Sequence, residues 1–167
     1  MNAKDKIKIY NKILKDLESK GIRVSSFDLD RPWGFFLVID SESSLDVFID
    51  TYYPELKEEL SQTSLPLSPK ILCVAPNKRL SWQYHHRRSE LWKLINGQAG
   101  YIKSTNDEQA EIVKMKKNKI LILAQGERHR LVGLEKWGII AEIWSHTDPA
   151  NPSDESDIVR LQDDFGR

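Results

Sequence analysis

From residue 70 to residue 145 the chain is built of short apolar runs separated by turn-forming residues. This texture constrains the fold more than any other feature of the sequence. The runs cover residues 71–74, 91–95, 101–103, 111–115, 120–123 and 137–144. Between them stand Pro76-Asn77, Asn96-Gly97, Asn106-Asp107, Asn118 and Gln125-Gly126, which close tight turns or tolerate a positive φ. Runs of this length read as strands, and many short strands at even spacing predict a barrel or a sandwich.

The first part of the chain has a different texture. Ile7, Tyr10, Ile13, Leu14 and Leu17 recur at helical spacing ahead of Gly21, so an amphipathic helix over residues 4–20 with a glycine stop is expected. Its six lysines alternate with Asp5, Asp16 and Glu18, the pattern of a solvated face. An apolar stretch runs from Arg31-Pro32-Trp33-Gly34 to Ile39. Val47, Phe48, Tyr52, Leu56 and Leu60 then predict a second helix, broken at Pro54. Residues 61–69 are rich in Ser, Thr and Pro and mark a boundary. Residues 1–69 are expected to form a helical extension and a first strand packed on the barrel, and residues 70–167 the barrel with its tail. The last twenty residues are expected either as a strand laid on the barrel or as a solvated end.

A chain of 167 residues fits one domain with small appendages. Lys plus Arg equals Asp plus Glu at 25 each, so there is no basic field to hold a phosphate backbone, and no nucleic-acid partner is expected. The longest strongly apolar run, residues 35–39, is far short of the roughly 20 residues that cross a bilayer, and the N-terminus lacks the apolar core of a signal peptide. No membrane association is expected, and the location read from this is cytoplasmic. The single cysteine, Cys73, has no partner for an internal disulfide and sits in an apolar run where a small core side chain fits.

The chemistry concentrates in Gln83-Tyr84-His85-His86-Arg87-Arg88-Ser89-Glu90. In a strand, Gln83 and His85 project to one face, and Glu90 opens the next apolar run. His129 follows Gln125-Gly126-Glu127-Arg128, 39 residues beyond Glu90. Imidazole nitrogen and carboxylate oxygen are ordinary ligands of zinc, iron and manganese, with an amide oxygen or water able to complete the set.

These spacings resemble a known family. Asn77, Gln83, His85, Glu90 and Gly97 are spaced like the first cupin motif, and Asn118, Ala124, Gln125-Gly126 and His129 like the second. Asn replaces the leading Gly of each, a residue that tolerates the left-handed backbone such a turn needs. Gly133 stands where the second motif ends in Asn. The segment from Leu80 to Trp92 resembles more narrowly the signature of the type II mannose-6-phosphate isomerase cupin, including Gln in the first ligand slot. Arg31-Pro32-Trp33-Gly34, Asp157-Ile158-Val159-Arg160 and Asp164-Phe165-Gly166-Arg167 resemble its opening and closing motifs. Residues 41–69 stand where that domain usually has a short connection. In many members the domain follows a sugar-nucleotide transferase domain; no Gly-rich nucleotide loop is present here, and that activity is not expected.

The resemblance implies a mainly β fold, the cupin-type double-stranded β-helix or jelly-roll barrel. It implies a divalent metal on Gln83, His85, Glu90 and His129, with zinc as the first expectation and manganese, iron and nickel as alternatives. It implies isomerisation of mannose 6-phosphate to fructose 6-phosphate. Moving a carbonyl along a sugar requires removal of a proton beside it, stabilisation of the enediolate and return of the proton. Phosphate binding is assigned to Arg88, Lys78, Arg79 and Arg130, and the catalytic candidates are Arg88 and His86. Glu142, Asp157 and Asp164 are further candidates for the proton-transfer base. Trp33, Trp92 and Trp144 serve either as core or as sugar-stacking surfaces. A cupin that binds a sugar or sugar phosphate without turnover is the alternative, and a metal-dependent oxygenase a more remote one. The partner is a small sugar phosphate, and the expected assembly is a homodimer through the barrel or the N-terminal helix.

Overall fold

The computed structural model describes residues 2–167. Helix α1, Ala3–Ser19, forms where the periodicity predicts it, with Asn2 accepting the Lys4 N–H at 3.0 Å as its cap. Gly21 ends it at φ 72, where a side chain would be strained. Strand β1, Val24–Asp28, was not legible as a strand because its middle residues, Ser25, Ser26 and Phe27, are all exposed and give no alternation. It pairs antiparallel with β2, Gly34–Ile39, the apolar stretch after Arg31-Pro32-Trp33.

Helix α2, Ser41–Tyr52, then gives way at Pro54 to a 3-10 turn over Pro54–Leu56 and to a short helix α3, Lys57–Gln62. The break lies at the expected proline. Strand β3, Leu67–Val74, starts three residues before the expected boundary, with Ser68 and Pro69 already paired across the sheet.

The remaining strands are β4, Trp82–His85; β5, Arg88–Ser104; β6, Val113–Lys114; β7, Ile120–Leu123; β8, Arg128–His146; and β9, Ile158–Gln162. Two of them are far longer than the apolar runs suggest. β5 and β8 pair antiparallel from Arg88↔His146 to Ser104↔Arg128. The runs at 91–95 and 101–103 therefore belong to one strand, and Asn96-Gly97 is a shift of register rather than a chain reversal. Gly97 has φ 75, and an added Cβ would lie 1.7 Å from the Trp137 carbonyl oxygen, so only glycine lets the strands pass this closely.

The two long strands run through the single nine-stranded sheet and tie its parts together. On one side of the bend β8 pairs with β3, from Leu67↔Ser145 to Val74↔Gly138; near its start it pairs with β4 at Gln83↔His129. The tail is a strand, with β9 lying antiparallel on β4. This is the antiparallel, mainly β barrel expected from the sequence, with α1 on its outside.

Burial on both faces of β3 explains its unbroken apolar run. Ile71 and Cys73 face outward into a cluster with Leu17, Phe35, Leu37 and Phe48, and Cys73 is fully buried there. Leu72 and Val74 alternate inward to meet Trp92, Leu94, Leu131 and Ile140 inside the barrel. Inward-facing positions near one end of these strands are polar, and they build the site. Among the described residues no helix is long and apolar enough to cross a membrane.

Candidate metal centre

The alternation of β4 aims Gln83 and His85 into the barrel, as expected for residues two apart. Glu90 enters from β5, and His129 enters from β8 directly opposite Gln83. All four are buried. His85 Nε2 lies 3.3 Å from His129 Nε2 and 3.2 Å from Glu90 Oε1, and His129 Nε2 lies 3.5 Å from Glu90 Oε2. Donor atoms of His85, Glu90 and His129 all fall within 4.8 Å of one another.

Three observations fit this cluster to a divalent cation. His129 Nδ1 is 2.8 Å from the Glu127 carbonyl oxygen, which accepts its proton and leaves the Nε2 lone pair facing the cluster. Burial, with a lesser push from His85, lowers the His129 imidazole to about 4 against the pull of Glu90, so the ring is neutral, the ligating form. Glu90 Oε2 is buried with no hydrogen-bond partner among the described residues. Burial acts to raise the Glu90 carboxyl, but the Arg88 guanidinium beside it, helped by hydrogen bonding from His85, outweighs burial and holds it well below its ordinary value.

Gln83 is less direct. Its Oε1 accepts from Ser81 Oγ at 2.5 Å, and its Nε2 lies 3.4 Å from His85 Nε2. A half-turn of the amide exchanges its two ends and brings the oxygen to the cluster, with Ser81 Oγ then accepting.

Arg88 is buried against the same atoms. Its Nε donates to Glu90 Oε1 at 2.8 Å, one terminal nitrogen is 3.0 Å from His85 Nε2, and the other donates to Ser153 Oγ at 2.9 Å. The face of the guanidinium lies 3.4 Å from the Trp144 ring centroid.

The other residues assigned from sequence go elsewhere. His86 is exposed in the bend just past the end of β4, with its ring edge-on to Tyr84, and does not reach the cluster. Arg79 is spent on Asp164, at 2.6 and 3.0 Å. Arg130, fully buried, donates to the Leu80 carbonyl, to Gln109 and to Asp164. These two arginines fasten the tail, and the hydrogen bond from Arg79 is the main reason the Asp164 carboxyl sits far below its ordinary range. Lys78 does not line the cleft that opens on the cluster.

That cleft has a different set of cations. Its lining brings Gln83, Arg88 and Glu90 together with Arg31, Lys70, Arg160 and Arg167, and Trp33, Trp92 and Trp144 form its apolar walls. Arg167 is engaged by Asp163, and Arg31 by Asp28. Arg160 is freer, for among the described residues its Nε is buried without a partner and its ion-pair acid, Glu155, is 3.7 Å away. Lys70 and Glu142 also line the cleft, paired across β3 and β8. Lys70 was not singled out from the sequence. Its signal was the alternation of residues 70, 72 and 74, which puts all three on the interior face of β3.

The family described as Mannose-6-phosphate isomerase C-terminal matches residues 52–163. The chain is 26% identical over 167 residues to the alginate biosynthesis protein AlgA of Pseudomonas aeruginosa, covering 98% of this chain and 28% of that protein. It is 25% identical over 167 residues to the xanthan biosynthesis protein XanB of Xanthomonas campestris, covering 98% of this chain and 29% of that one. It thus spans less than a third of the length of these curated relatives. Among solved structures, the oxalate decarboxylase of Lactobacillus farciminis in its formate complex has a TM-score of 0.55 at 13% identity, covering 81% of this chain and 33% of that one. That likeness is one of fold.

Proposed function

The chain belongs to the mannose-6-phosphate isomerase C-terminal family, with the cupin barrel as its fold, and from this premise we propose that it is a metal-dependent aldose–ketose isomerase acting on a sugar phosphate. Mannose 6-phosphate, converted to fructose 6-phosphate, is the first substrate to test. The observation that carries the reading is a His–Glu–His donor cluster whose Glu90, with Gln83, lines a cleft that also holds several cations and three tryptophans.

His85, Glu90 and His129, with Gln83 as the fourth group, would hold the metal; zinc is the first candidate and manganese, iron and nickel are the alternatives. When bound, a divalent ion supplies a Lewis acid for the oxyanion that develops at the carbonyl. The chain's own residues do the rest. Arg160 has a donor to spare and is the leading grip for the phosphate, with Lys70 and Arg167 around it. Arg88 keeps Glu90 ionised, which is the form a ligand needs. The tryptophan walls exclude water and offer flat surfaces to a sugar.

Residues 1–69 serve in this reading as an extension that steadies β3 from outside and lends Arg31 and Trp33 to the cleft, and residues 70–167 carry the metal donors and the other cleft residues. A cytoplasmic location and a homodimer through the barrel or α1 complete the proposal.

One observation favours the second reading, a sugar-phosphate binder without turnover. Arg88 already bonds His85 Nε2 and Glu90 Oε1, two of the atoms that a metal would use. A coupled assay for fructose 6-phosphate, run on metal-loaded and chelated protein given mannose 6-phosphate, separates the two. Turnover only in the loaded protein supports the isomerase. Binding with no turnover supports the binder.

A further inference from the structure

The cleft holds a carboxyl that neither the metal cluster nor the tail uses. Glu142 sits on β8 between Lys70 of β3 and Trp92 of β5. It is buried, it lines the cleft with Gln83, Arg88 and Glu90, and its one hydrogen bond among the described residues comes from Trp92 Nε1 to Oε2 at 2.8 Å. No Lys or Arg forms an ion pair with it among the described residues. A carboxyl oriented by one indole N–H and otherwise open to a substrate cleft is placed for proton transfer.

The alternatives are committed elsewhere. His86 is exposed in the bend between β4 and β5. Asp157 accepts from the His86 and Arg87 N–H groups at 3.0 Å each and from Ser153 Oγ at 2.6 Å. Asp164 is held by Arg79 and Arg130. Glu155 lines the cleft but is largely exposed and faces Arg160.

Resting on the isomerase reading, we propose that Glu142 is the catalytic residue that carries the proton between the two carbons of the sugar. In the open-chain aldose the C2–H bond breaks and its proton goes to the Glu142 carboxylate. The C–H electron pair becomes the C1–C2 double bond, and the carbonyl π pair moves onto O1. The hydroxyl proton on O2 then passes to O1. Glu142 returns its proton to C1 as the pair on O2 forms the new carbonyl, and the atoms balance.

The electrostatics agree with the placement. Burial, then the charge of Glu90, pushes the Glu142 carboxyl up to about 8, against the pull of Lys70, Arg88 and the Trp92 hydrogen bond. A base with proton affinity near neutral pH both takes and returns a proton readily.

The test uses the metal-loaded protein with mannose 6-phosphate in D2O, following fructose 6-phosphate formation and deuterium entry into the sugar by proton NMR. Glu142→Gln should lower kcat and deuterium entry together by about 10²- to 10⁴-fold, leave KM within about threefold, and leave metal content unchanged. Glu142→Asp should recover part of the rate. Should Glu142→Gln fail to fold, Glu142→Asp decides: an unchanged kcat and pH profile removes Glu142. Wild-type turnover that Glu142→Gln matches within threefold overturns the proposal and leaves the isomerase reading standing. Wild-type protein that neither isomerises nor exchanges overturns that reading, and this proposal with it.

Discussion

Arg88 and Glu90, two residues apart on β5, form a buried ion pair, with Nε and Oε1 2.8 Å apart and each side chain 2% exposed. The same Oε1 lies 3.2 Å from His85 Nε2. The guanidinium therefore compensates the Glu90 charge at the place where a metal would also compensate it.

A stability difference follows from that redundancy. Arg88→Ala strands a buried carboxylate in the chelated protein, a cost of about 3 to 5 kcal/mol for breaking such a pair. A bound divalent ion compensates Glu90 in its place, so the loss should shrink when metal is present. Thermal melts with chelator and with zinc check this. An equal loss in both conditions would show that Arg88 and the metal do not share Glu90.

The raised carboxyl of Glu142 sets a pH dependence of known sign. Its folded value is about 8 against an ordinary 4.5, so between these values the folded state keeps a proton that the unfolded state has released. Stability then falls as pH rises through that window, by at most about 1.4 kcal/mol per pH unit, and flattens above it. Glu142→Gln removes this loss. In denaturant titrations of the chelated protein, the stability of Glu142→Gln relative to wild type should grow from about pH 5 to about pH 8. A difference independent of pH would show that Glu142 ionises in the folded protein as it does in water.

The cleft cations and the tail arginines should behave oppositely. Arg160→Ala should weaken binding of a sugar phosphate by about 1.5 to 3 kcal/mol, the range of a hydrogen bond to a charged group, and barely alter binding of the free sugar. Arg79→Ala removes a partly exposed pair with Asp164 and should change neither affinity. Calorimetry on the metal-loaded protein measures both. Equal losses for phosphorylated and free sugar in Arg160→Ala would take the phosphate role away from it.

Much of this site was readable because a strand fixes direction. Gln83 and His85 face one way at a spacing of two, and Glu90 and His129 fell at spacings that resemble a known motif pair. The positive φ of Asn77 and Asn118, 56° and 61°, agrees with asparagine replacing glycine at both turns. What could not be read was register. Lys70, Glu142 and Trp92 share the cleft because β3, β8 and β5 align them side by side, and no local pattern encodes that alignment. Arg79 and Arg130 look like phosphate binders until Asp164, far along the chain, is seen between them. The long reach of β5 was hidden by Asn96-Gly97, which has the composition of a turn and the geometry of a bend.

The outer helix offers a check on the first third of the chain. Leu17 of α1 is fully buried against the outward face of the sheet, and Leu17→Ala should cost about 2 to 5 kcal/mol. Ile7, on the exposed side of the same helix, should tolerate Ala with little change. Melting temperatures of the two variants test this, and equal effects would mean that α1 does not pack as described.

In the proposed function, residues from three strands make one metal site that drives isomerisation. This is tested most directly by titrating zinc into chelated protein while following the conversion of mannose 6-phosphate to fructose 6-phosphate. The rate should rise with metal, saturate at one ion per chain and be abolished in His129→Ala. Turnover indifferent to metal, or none at full occupancy, would contradict it.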